Sequence, residues 1–288
     1  MLTPADTPNT TPRHRLRRVL LWTLIPLLGI AAVLAPLAYL TFLREPELTP
    51  QDFLDNGGTA DGPVVVVAGA SSIHGIGSAD FVSLLRTGMG EHGYQFINAG
   101  INGNTSSDLL DRLDQIIETK PDAVMLLIGT NNVLGAADNT EPALDTYRKD
   151  LGTIAHRLAT ETTAEFAFYS LQPLGEDLDD PQNRLVSRFN AVIADVAAEY
   201  DAGYLPLNER LTTIIHAEGG SQPSDFSLLS AALAGTRHYY LGQSWDDIGT
   251  ANGYTVLVDG VHLNNRGAAT AASLAAQWLR DQATHPAP

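Results

Sequence analysis

The amino-acid sequence predicts an α/β fold in three layers: a five-stranded parallel sheet between two layers of helices, preceded by one transmembrane helix. Three observations predict it. Strand-like apolar segments alternate with helical segments along residues 62–284, an order typical of parallel strands joined by right-handed crossovers. Residues 64–68 are an uninterrupted apolar run, as in strands buried on both faces. Residues 19–43 contain no charged side chain.

The N-terminal segments predict a membrane anchor. Residues 1–18 are a basic tail with four arginines, and residues 19–43 would form a helix of about 37 Å, enough to cross about 30 Å of hydrocarbon. Because basic residues stay on the cytoplasmic side, we expect a single-pass protein of the cell membrane whose remaining residues are extracytoplasmic. A cleaved signal peptide is the alternative, with a weak cleavage motif at residues 35–39, but the apolar run exceeds the usual length of such peptides.

The charge of the chain is divided unevenly. The 288 residues carry a formal net charge of −16, from 17 basic and 33 acidic side chains. Residues 1–43 hold four arginines and one aspartate, which leaves 13 basic and 32 acidic residues, or −19, in the remainder. So acidic a domain repels phosphate backbones, and no nucleic-acid partner is predicted. The absence of cysteine excludes a disulfide scaffold, a cysteine-ligated zinc site and a cysteine nucleophile.

The elements of the soluble part follow a linker, residues 44–61, which is polar and contains proline and glycine. Short apolar runs predict five strands, at residues 64–68, 94–98, 123–128, 165–171 and 203–207. Apolar side chains at helical spacing, such as Leu109, Leu113 and Ile116 in the second helix, predict five helices. These helices are residues 78–91, 105–118, 141–160, 182–200 and 265–282.

Polar segments fall at the carboxyl ends of the first three strands and just before the last helix. They are residues 69–75, 98–105, 129–132 and 259–264. Because these positions share one edge of a parallel sheet, we expect their side chains to meet there. The segments supply Ser71, Gly103, Asn131, Asp259 and His262. A serine, a glycine turn, an amide and a D-x-x-H pair are the parts of a serine hydrolase.

Each of these residue types has a chemical reason to be there. The Ser71 hydroxyl is a weak nucleophile and needs a base, which His262 can supply at neutral pH. Asp259, three residues before His262, can hold the imidazole in the right tautomer. Three donors could stabilise an oxyanion: the backbone N–H groups of Ser71 and Gly103 and the amide of Asn131. Ser72 is an alternative nucleophile, because the local turn decides which hydroxyl is exposed.

The four segments resemble those of the SGNH hydrolase superfamily, also called GDSL-type esterases and lipases, over roughly residues 63–283. The resemblance implies Ser71 as nucleophile, Gly103 and Asn131 as oxyanion donors, and Asp259 and His262 as the rest of the triad. It also implies a flavodoxin-like sheet of order 2-1-3-4-5 and no metal or cofactor. The sequence departs from the family pattern at Ala70, where the family has aspartate, at Ser72, where it usually has leucine, and at Asn132, which takes an acidic place.

Three functions are consistent with this site. The first is an ester hydrolase acting on lipid or cell-envelope acyl esters, small-molecule or polysaccharide esters included. The second is an acyltransferase that passes the acyl group to an envelope polysaccharide, and the third is a non-catalytic binding module on a decayed hydrolase fold. Intact Ser, Gly, Asn, Asp and His residues argue against the third. No oligomeric state is predicted.

Residues 208–255 of the predicted hydrolase domain, 62–284, form an insertion. Two short helices are predicted in it, one at 224–234 between a Ser224 cap and a Gly235 stop, and one at 245–251 with a Ser244 cap. Two hypotheses explain its apolar residues: a satellite core on the sheet edge, or a wall over the acyl side of the ester. The residues in question are Phe226, Leu228, Leu229, Leu233, Tyr239, Tyr240 and Trp245.

Overall fold

The computed structural model describes residues 12–136 and 139–284; residues 1–11 of the predicted basic tail lie outside them. Its centre is a parallel sheet of five strands in the order β2-β1-β3-β4-β5, as predicted. The strands are β1 (Val64–Gly69), β2 (Gln95–Gly100), β3 (Ala123–Leu127), β4 (Glu165–Tyr169) and β5 (Gly203–Leu205). β1 lies inside the sheet, where Val65 pairs with Phe96 on one side and with Ala123 on the other. Every residue of β1 is buried, which explains its run of apolar residues.

The last two strands end two residues earlier than predicted. Ser170 still donates its N–H to Leu205 O, but the N–H of Leu171 donates to the side chain of Asn190 instead of a strand. An apolar run alone does not show where the backbone leaves the ladder, because Leu171 stays buried after the strand has ended.

Helices cover both faces of the sheet and give the predicted three layers. In chain order the helices are α1 (Pro12–Ala38), α2 (Pro50–Asp55), α3 (Ser71–His74), α4 (Phe81–Met89), α5 (Ser106–Asp111), α6 (Leu113–Glu118), α7 (Thr130–Gly135), α8 (Thr140–Glu161), α9 (Pro181–Glu199), α10 (Leu207–Glu218), α11 (Leu228–Tyr239), α12 (Trp245–Ala251) and α13 (Asn265–Thr284). α5, α6, α8 and α9 pack together on one face of the sheet, and α4, α10 and α13 on the other.

The predicted helix 105–118 is two helices, with a break at Arg112. The guanidinium of Arg112 turns inward and donates to the carbonyls of Gly69 and Ala99, at the ends of β1 and β2. Periodic apolar residues run through both helices, so the periodicity did not reveal the break.

The linker and the insertion hold more helix than predicted. In the linker, α2 is capped by Thr49 and buries Phe53. In the insertion, α10 starts at Leu207 and buries Leu207, Leu211 and Ile215. α11 is capped by Ser227 rather than Ser224 and continues through Gly235, so the predicted start and stop are both wrong. α12 and its Ser244 cap match the prediction.

The N-terminal apolar segment is helical. α1 continues as a π-helical turn over Tyr39–Leu43, and Trp22–Leu43 is long and apolar enough to cross a membrane, which fits an anchor or a signal sequence. The end of this segment packs on α11: Thr41 is buried against Gly235, where a methyl group would collide with the Thr41 hydroxyl. The hydroxyl of Tyr240 donates to Val33 O at 2.6 Å.

Candidate active site

The turn after β1 presents Ser71 at the carboxyl edge of the sheet. β1 ends at Gly69, whose Cα lies so close to the carbonyl of Leu127 that no side chain fits. Ala70 leaves the strand, and Ser71 is the first residue of α3. The Ser71 hydroxyl lies 2.9 Å from His262 Nε2. A base is therefore within hydrogen-bond reach of this hydroxyl.

The loop before α13 holds Asp259 and His262 in a fixed arrangement. His262 Nδ1 lies 2.8 Å from Asp259 Oδ2, and the other carboxylate oxygen accepts the backbone N–H groups of His262 and Val261. Gly260 takes a positive φ of 85°, which lets the chain turn back so quickly. Asp259 is 2% exposed. Since a buried carboxylate must be satisfied by donors, this loop is built around its hydrogen bonds.

The electrostatics of the pair favour a charged couple. Burial alone would lower the pKa of His262, but the charge of the Asp259 carboxylate and its hydrogen bond raise that pKa above the ordinary 6.5. Burial opposes ionisation of Asp259, yet His262 and the two backbone N–H groups hold the pKa of the carboxyl below its ordinary value. Each group stabilises the ionised form of the other.

Gly103 and Asn131 line the same cavity as Ser71, Asp259 and His262. Gly103 has a positive φ of 77°, and open space lies where a side chain would stand. Asn131 lies at the start of α7 and donates from Nδ2 to Asn104 O at 2.9 Å, which fixes the orientation of its amide. The structure thus brings all five predicted site residues to one cavity.

The two adjacent serines occupy different environments. Ser72 is buried, and its hydroxyl accepts from Gln172 Nε2 at 2.9 Å. Gln172 also donates to Val261 O, so it ties the Ser71 turn to the His262 loop. The hydroxyl beside the imidazole belongs to Ser71.

The structure shows what surrounds two of the residues that depart from the family pattern, Ala70 and Asn132. Ala70 is buried in the core. Asn132 donates to the Ser106 hydroxyl and accepts the Ser106 N–H, so it joins the Asn131 turn to the start of α5. Ser106 in turn donates to the buried Asp150.

Several residues around the site were not identified from the sequence. Arg112 holds the ends of β1 and β2 and also donates to the side chain of Asn104. The backbone carbonyl of Asn104 accepts a hydrogen bond from Asn131. Burial lowers the pKa of Arg112 to about 10, so its charge persists at neutral pH. A lone arginine inside a helical pattern gave no signal of an inward-facing role.

The cavity itself has a volume of about 280 Å³ and mainly apolar walls. Its apolar lining comes from Phe42, Ile76, Leu134, Phe226, Leu228 and Val261. The ring of Phe226 contacts the His262 ring edge-on at 5.5 Å. Phe42 and its neighbour Thr41 belong to the N-terminal apolar segment, so a candidate transmembrane helix supplies part of the wall. The sequence alone predicts only a membrane location for this segment.

Each of the two hypotheses for the insertion fits some of its apolar residues. Phe226 and Leu228 line the cavity. Tyr239 and Trp245 instead form a satellite cluster, in which the His238 ring stacks on Trp245 at 4.0 Å. Leu229 and Leu233 do neither, because they are exposed. Within residues 12–136 and 139–284, no three histidine, aspartate or glutamate side chains are grouped as a metal ion would require.

Comparison with known proteins gives a family and a fold. The profile of a family described as GDSL-like Lipase/Acylhydrolase family matches residues 67–270. An acetylxylan esterase of Geobacillus stearothermophilus is 27% identical to this chain over 146 residues. The match covers 47% of this chain and 66% of that enzyme, slightly less than two thirds of its length.

Solved structures share the fold at low identity. The acetyl xylan esterase AlAXEase superposes with a TM-score of 0.59 at 19% identity, over 75% of this chain and 99% of the other. LAE5, an alpha/beta hydrolase enzyme from the metagenome of Lake Arreo, Spain, gives a TM-score of 0.55 at 17% identity, over 76% and 96%. The predicted fold class is confirmed.

Proposed function

Since the chain belongs to the GDSL-like lipase/acylhydrolase family and is therefore a carboxylic ester hydrolase, we propose that it is a serine esterase with the triad Ser71, His262 and Asp259. The observation that carries the proposal is the chain of hydrogen bonds from the Ser71 hydroxyl through the His262 ring to the Asp259 carboxylate. These three residues line a cavity whose wall also includes Gly103 and Asn131.

Acylation begins when the Ser71 oxygen attacks the ester carbonyl while His262 Nε2 takes the hydroxyl proton. Asp259 keeps the opposite ring nitrogen protonated and stabilises the imidazolium that forms. The negative charge on the carbonyl oxygen is met by the N–H groups of Ser71 and Gly103 and by the Asn131 amide. His262 then gives its proton to the departing alcohol, and an acyl-Ser71 ester remains.

Deacylation repeats these steps with water. His262 takes a proton from water, the hydroxide attacks the acyl-Ser71 carbonyl, and the same donors meet the second oxyanion. The carboxylic acid leaves, and the proton on His262 returns to the Ser71 oxygen. No metal or cofactor takes part in the proposed mechanism.

The proposed substrates are lipid or cell-envelope acyl esters outside the cytoplasmic membrane. The apolar walls of the cavity favour an acyl group, since ligand pockets are lined mainly by apolar side chains. A cavity of about 280 Å³ is near the lower end for ligand pockets, and two of the proteins named above, the Geobacillus stearothermophilus enzyme and AlAXEase, are acetylxylan esterases. The arginines before the apolar segment support a domain outside the membrane, held there by α1 as an uncleaved anchor.

A fluorophosphonate probe tests the proposed nucleophile, because it attaches covalently to an activated serine. We expect the full chain to be labelled, and Ser71→Ala to lose both labelling and turnover of p-nitrophenyl acetate. Ser72→Ala is the matched control: it removes a neighbouring hydroxyl that contacts Gln172 and should keep the label. Labelling that survives Ser71→Ala but not Ser72→Ala would move the nucleophile by one residue.

The acyl preference is measured with p-nitrophenyl esters from acetate to palmitate. Turnover of at least one of them, lost in Ser71→Ala, is the expected result. A well-folded chain that is neither labelled nor active on any ester of the series would instead support a non-catalytic protein.

A further inference from the structure

α11 and the two residues that follow it present exposed apolar side chains next to the cavity. Leu228, Leu229, Leu233 and Leu241 are each between 55% and 73% exposed, and Tyr240 is also exposed. We call these five residues the α11 face. Leucines this exposed and this close together are unusual on a water-facing surface, and such patches mark a contact with another apolar partner.

Charged side chains are scarce on this helix. Leu228–Tyr239 contains one arginine and no aspartate, glutamate or lysine. The guanidinium of that residue, Arg237, turns toward Gln243 and Asn252. Apart from Arg237, the helix has no arginine, lysine, aspartate or glutamate that would oppose burial of the α11 face in an apolar medium.

α11 and the residue after it are fixed to the candidate transmembrane helix. Gly235 packs directly on Thr41, and the Tyr240 hydroxyl bonds to Val33 O. The α11 face is thus continuous with the exposed apolar surface of α1, on which Leu34 and Ile30 are about half exposed.

The position of Val33 along α1 sets the depth of α11. The candidate span Trp22–Leu43 has 22 residues, or about 33 Å of helix, so it crosses the hydrocarbon and its far boundary lies near Leu43. Val33 lies ten residues before that boundary, or about 15 Å inside it. The end of α11 that contacts Val33 is then below the surface of the hydrocarbon, and the side chains found there are Tyr240 and Leu241.

The cavity lies between the same two elements. Thr41 and Phe42 line it from the apolar segment, and Leu228 and Ala231 line it from α11. The apolar segment and α11 therefore supply adjoining parts of the cavity wall.

We propose that the α11 face is inserted into the outer leaflet of the membrane and that the cavity opens to this leaflet, so that the substrate is a lipid acyl ester drawn from the bilayer that holds the enzyme. The proposal rests on the ester hydrolase function and the membrane orientation proposed above. The contact relies on apolar burial, because a domain with a net charge of −19 gains nothing from the anionic surface of a membrane.

The absence of cysteine allows a direct test. The full chain is placed in phosphatidylcholine nanodiscs with a single cysteine, L229C, L233C or L241C, that carries an environment-sensitive NBD dye. L84C is the matched control, an exposed leucine of α4 outside the α11 face. We expect blue-shifted emission and quenching by nitroxide-labelled lipid at the three α11-face positions, and quenching by aqueous iodide at position 84.

Two results would overturn the membrane contact. Dyes at 229, 233 and 241 that iodide quenches as readily as the dye at 84 would place the α11 face in water. Dyes that are blue-shifted but insensitive to nitroxide lipid would place it against protein, such as a second copy of the chain.

Activity tests the route of the substrate. We expect the double variant L229S/L233S to lose about tenfold or more in turnover of 4-methylumbelliferyl palmitate held in the nanodisc, because each change removes most of the transfer free energy of a buried leucine. Its turnover of soluble p-nitrophenyl acetate should match that of the unaltered chain and of L84S, since neither leucine lines the cavity. Equal losses on both substrates, or none on either, would overturn the route.

These outcomes separate the two proposals. If the unaltered chain hydrolyses neither ester, the proposed esterase function fails while the dye measurements still decide the membrane contact. If it hydrolyses the acetate ester and the dyes lie in water, only the membrane contact fails.

Discussion

Asp259 makes three hydrogen bonds within its own loop, and two of them go to backbone N–H groups. Its role in holding His262 thus begins with the fold of the loop and does not depend on a bound substrate. At the scale of single residues, the proposed catalysis follows from such short-range constraints: Asn104 orients Asn131, and Gln172 ties the turn of Ser71 to the loop of His262.

The first residue-scale prediction concerns pH. His262 must be neutral to act as the base, and its pKa lies above 6.5. As the pH falls through that raised pKa the base is protonated, so kcat/KM for p-nitrophenyl acetate should fall with a midpoint above pH 6.5. In Asp259→Asn the carboxylate no longer raises the pKa, so the midpoint should move to lower pH and kcat should drop by roughly 10⁴. A midpoint that stays in place in this variant would assign the titration to another group.

The second concerns the oxyanion. Asn131→Ala should lower kcat by roughly 10²–10³ with little change in KM, the size of effect expected when one oxyanion donor is lost. The neighbouring Asn132→Ala is the control, because it removes hydrogen bonds to Ser106 and should reduce stability by about 1 kcal/mol or more with a much smaller effect on kcat. A raised KM at unchanged kcat in Asn131→Ala would instead make this residue a substrate-binding group.

The sequence predicted which residues meet at one cavity where several strand ends carried polar side chains in order. Ser71, Gly103, Asn131, Asp259 and His262 could be named because each follows a strand or precedes the last helix. Arg112 and Gln172 could not, since one lies within a helical pattern and the other beyond a strand, and only packing turns them toward the site. Thr41 and Phe42 were assigned to the membrane, because hydropathy carries no information on what a helix end touches.

At the scale of elements, α11 shows how a tertiary contact decides where a helix ends. Its sequence predicts a shorter helix that stops at Gly235, whereas the structure continues it to Tyr239. Glycine commonly ends helices, but here its missing side chain is what allows α11 to approach Thr41. The sequence does not predict α10 or the break at Arg112 for a related reason. A local pattern of apolar residues contains no information about which neighbouring element a helix packs against.

Two glycines inside helices should respond oppositely to alanine. Gly235→Ala places a methyl group against Thr41, so it should lower the free energy of unfolding by about 1–3 kcal/mol. Gly152→Ala in α8 meets no atom within 4 Å and should raise it by about 0.5–1 kcal/mol. Denaturant unfolding of both variants in the same detergent measures the difference. A stabilised Gly235→Ala would mean that α11 does not pack closely on the apolar segment.

At the scale of the whole molecule, Glu176 joins distant parts of the chain. This carboxyl group is completely buried and accepts the N–H groups of Thr255 and Val256, about 80 positions away. It fixes the end of the insertion just before the loop of Asp259 and His262.

Removing this connection should weaken the whole fold. Glu176→Ala leaves two backbone N–H groups without a partner and should cost about 2 kcal/mol or more in unfolding free energy. Glu91→Ala, at an exposed glutamate, is the control and should change little. Thermal unfolding of the two variants measures this, and a Glu176→Ala melting temperature equal to that of Glu91→Ala would contradict it.

The hydrogen bond between Ser71 and His262 joins positions 191 residues apart, and this separation has a consequence in time. A chain made from its N-terminus contains Ser71 long before His262 has been synthesised. At roughly 5–20 residues per second the interval lasts about 10–40 seconds. Throughout this interval Ser71 has no base, and for most of it the wall formed by α11 is also missing. The proposed triad is therefore complete only when nearly the whole chain has been made, and the proposed hydrolysis waits until the loop of Asp259 and His262 has folded against Ser71.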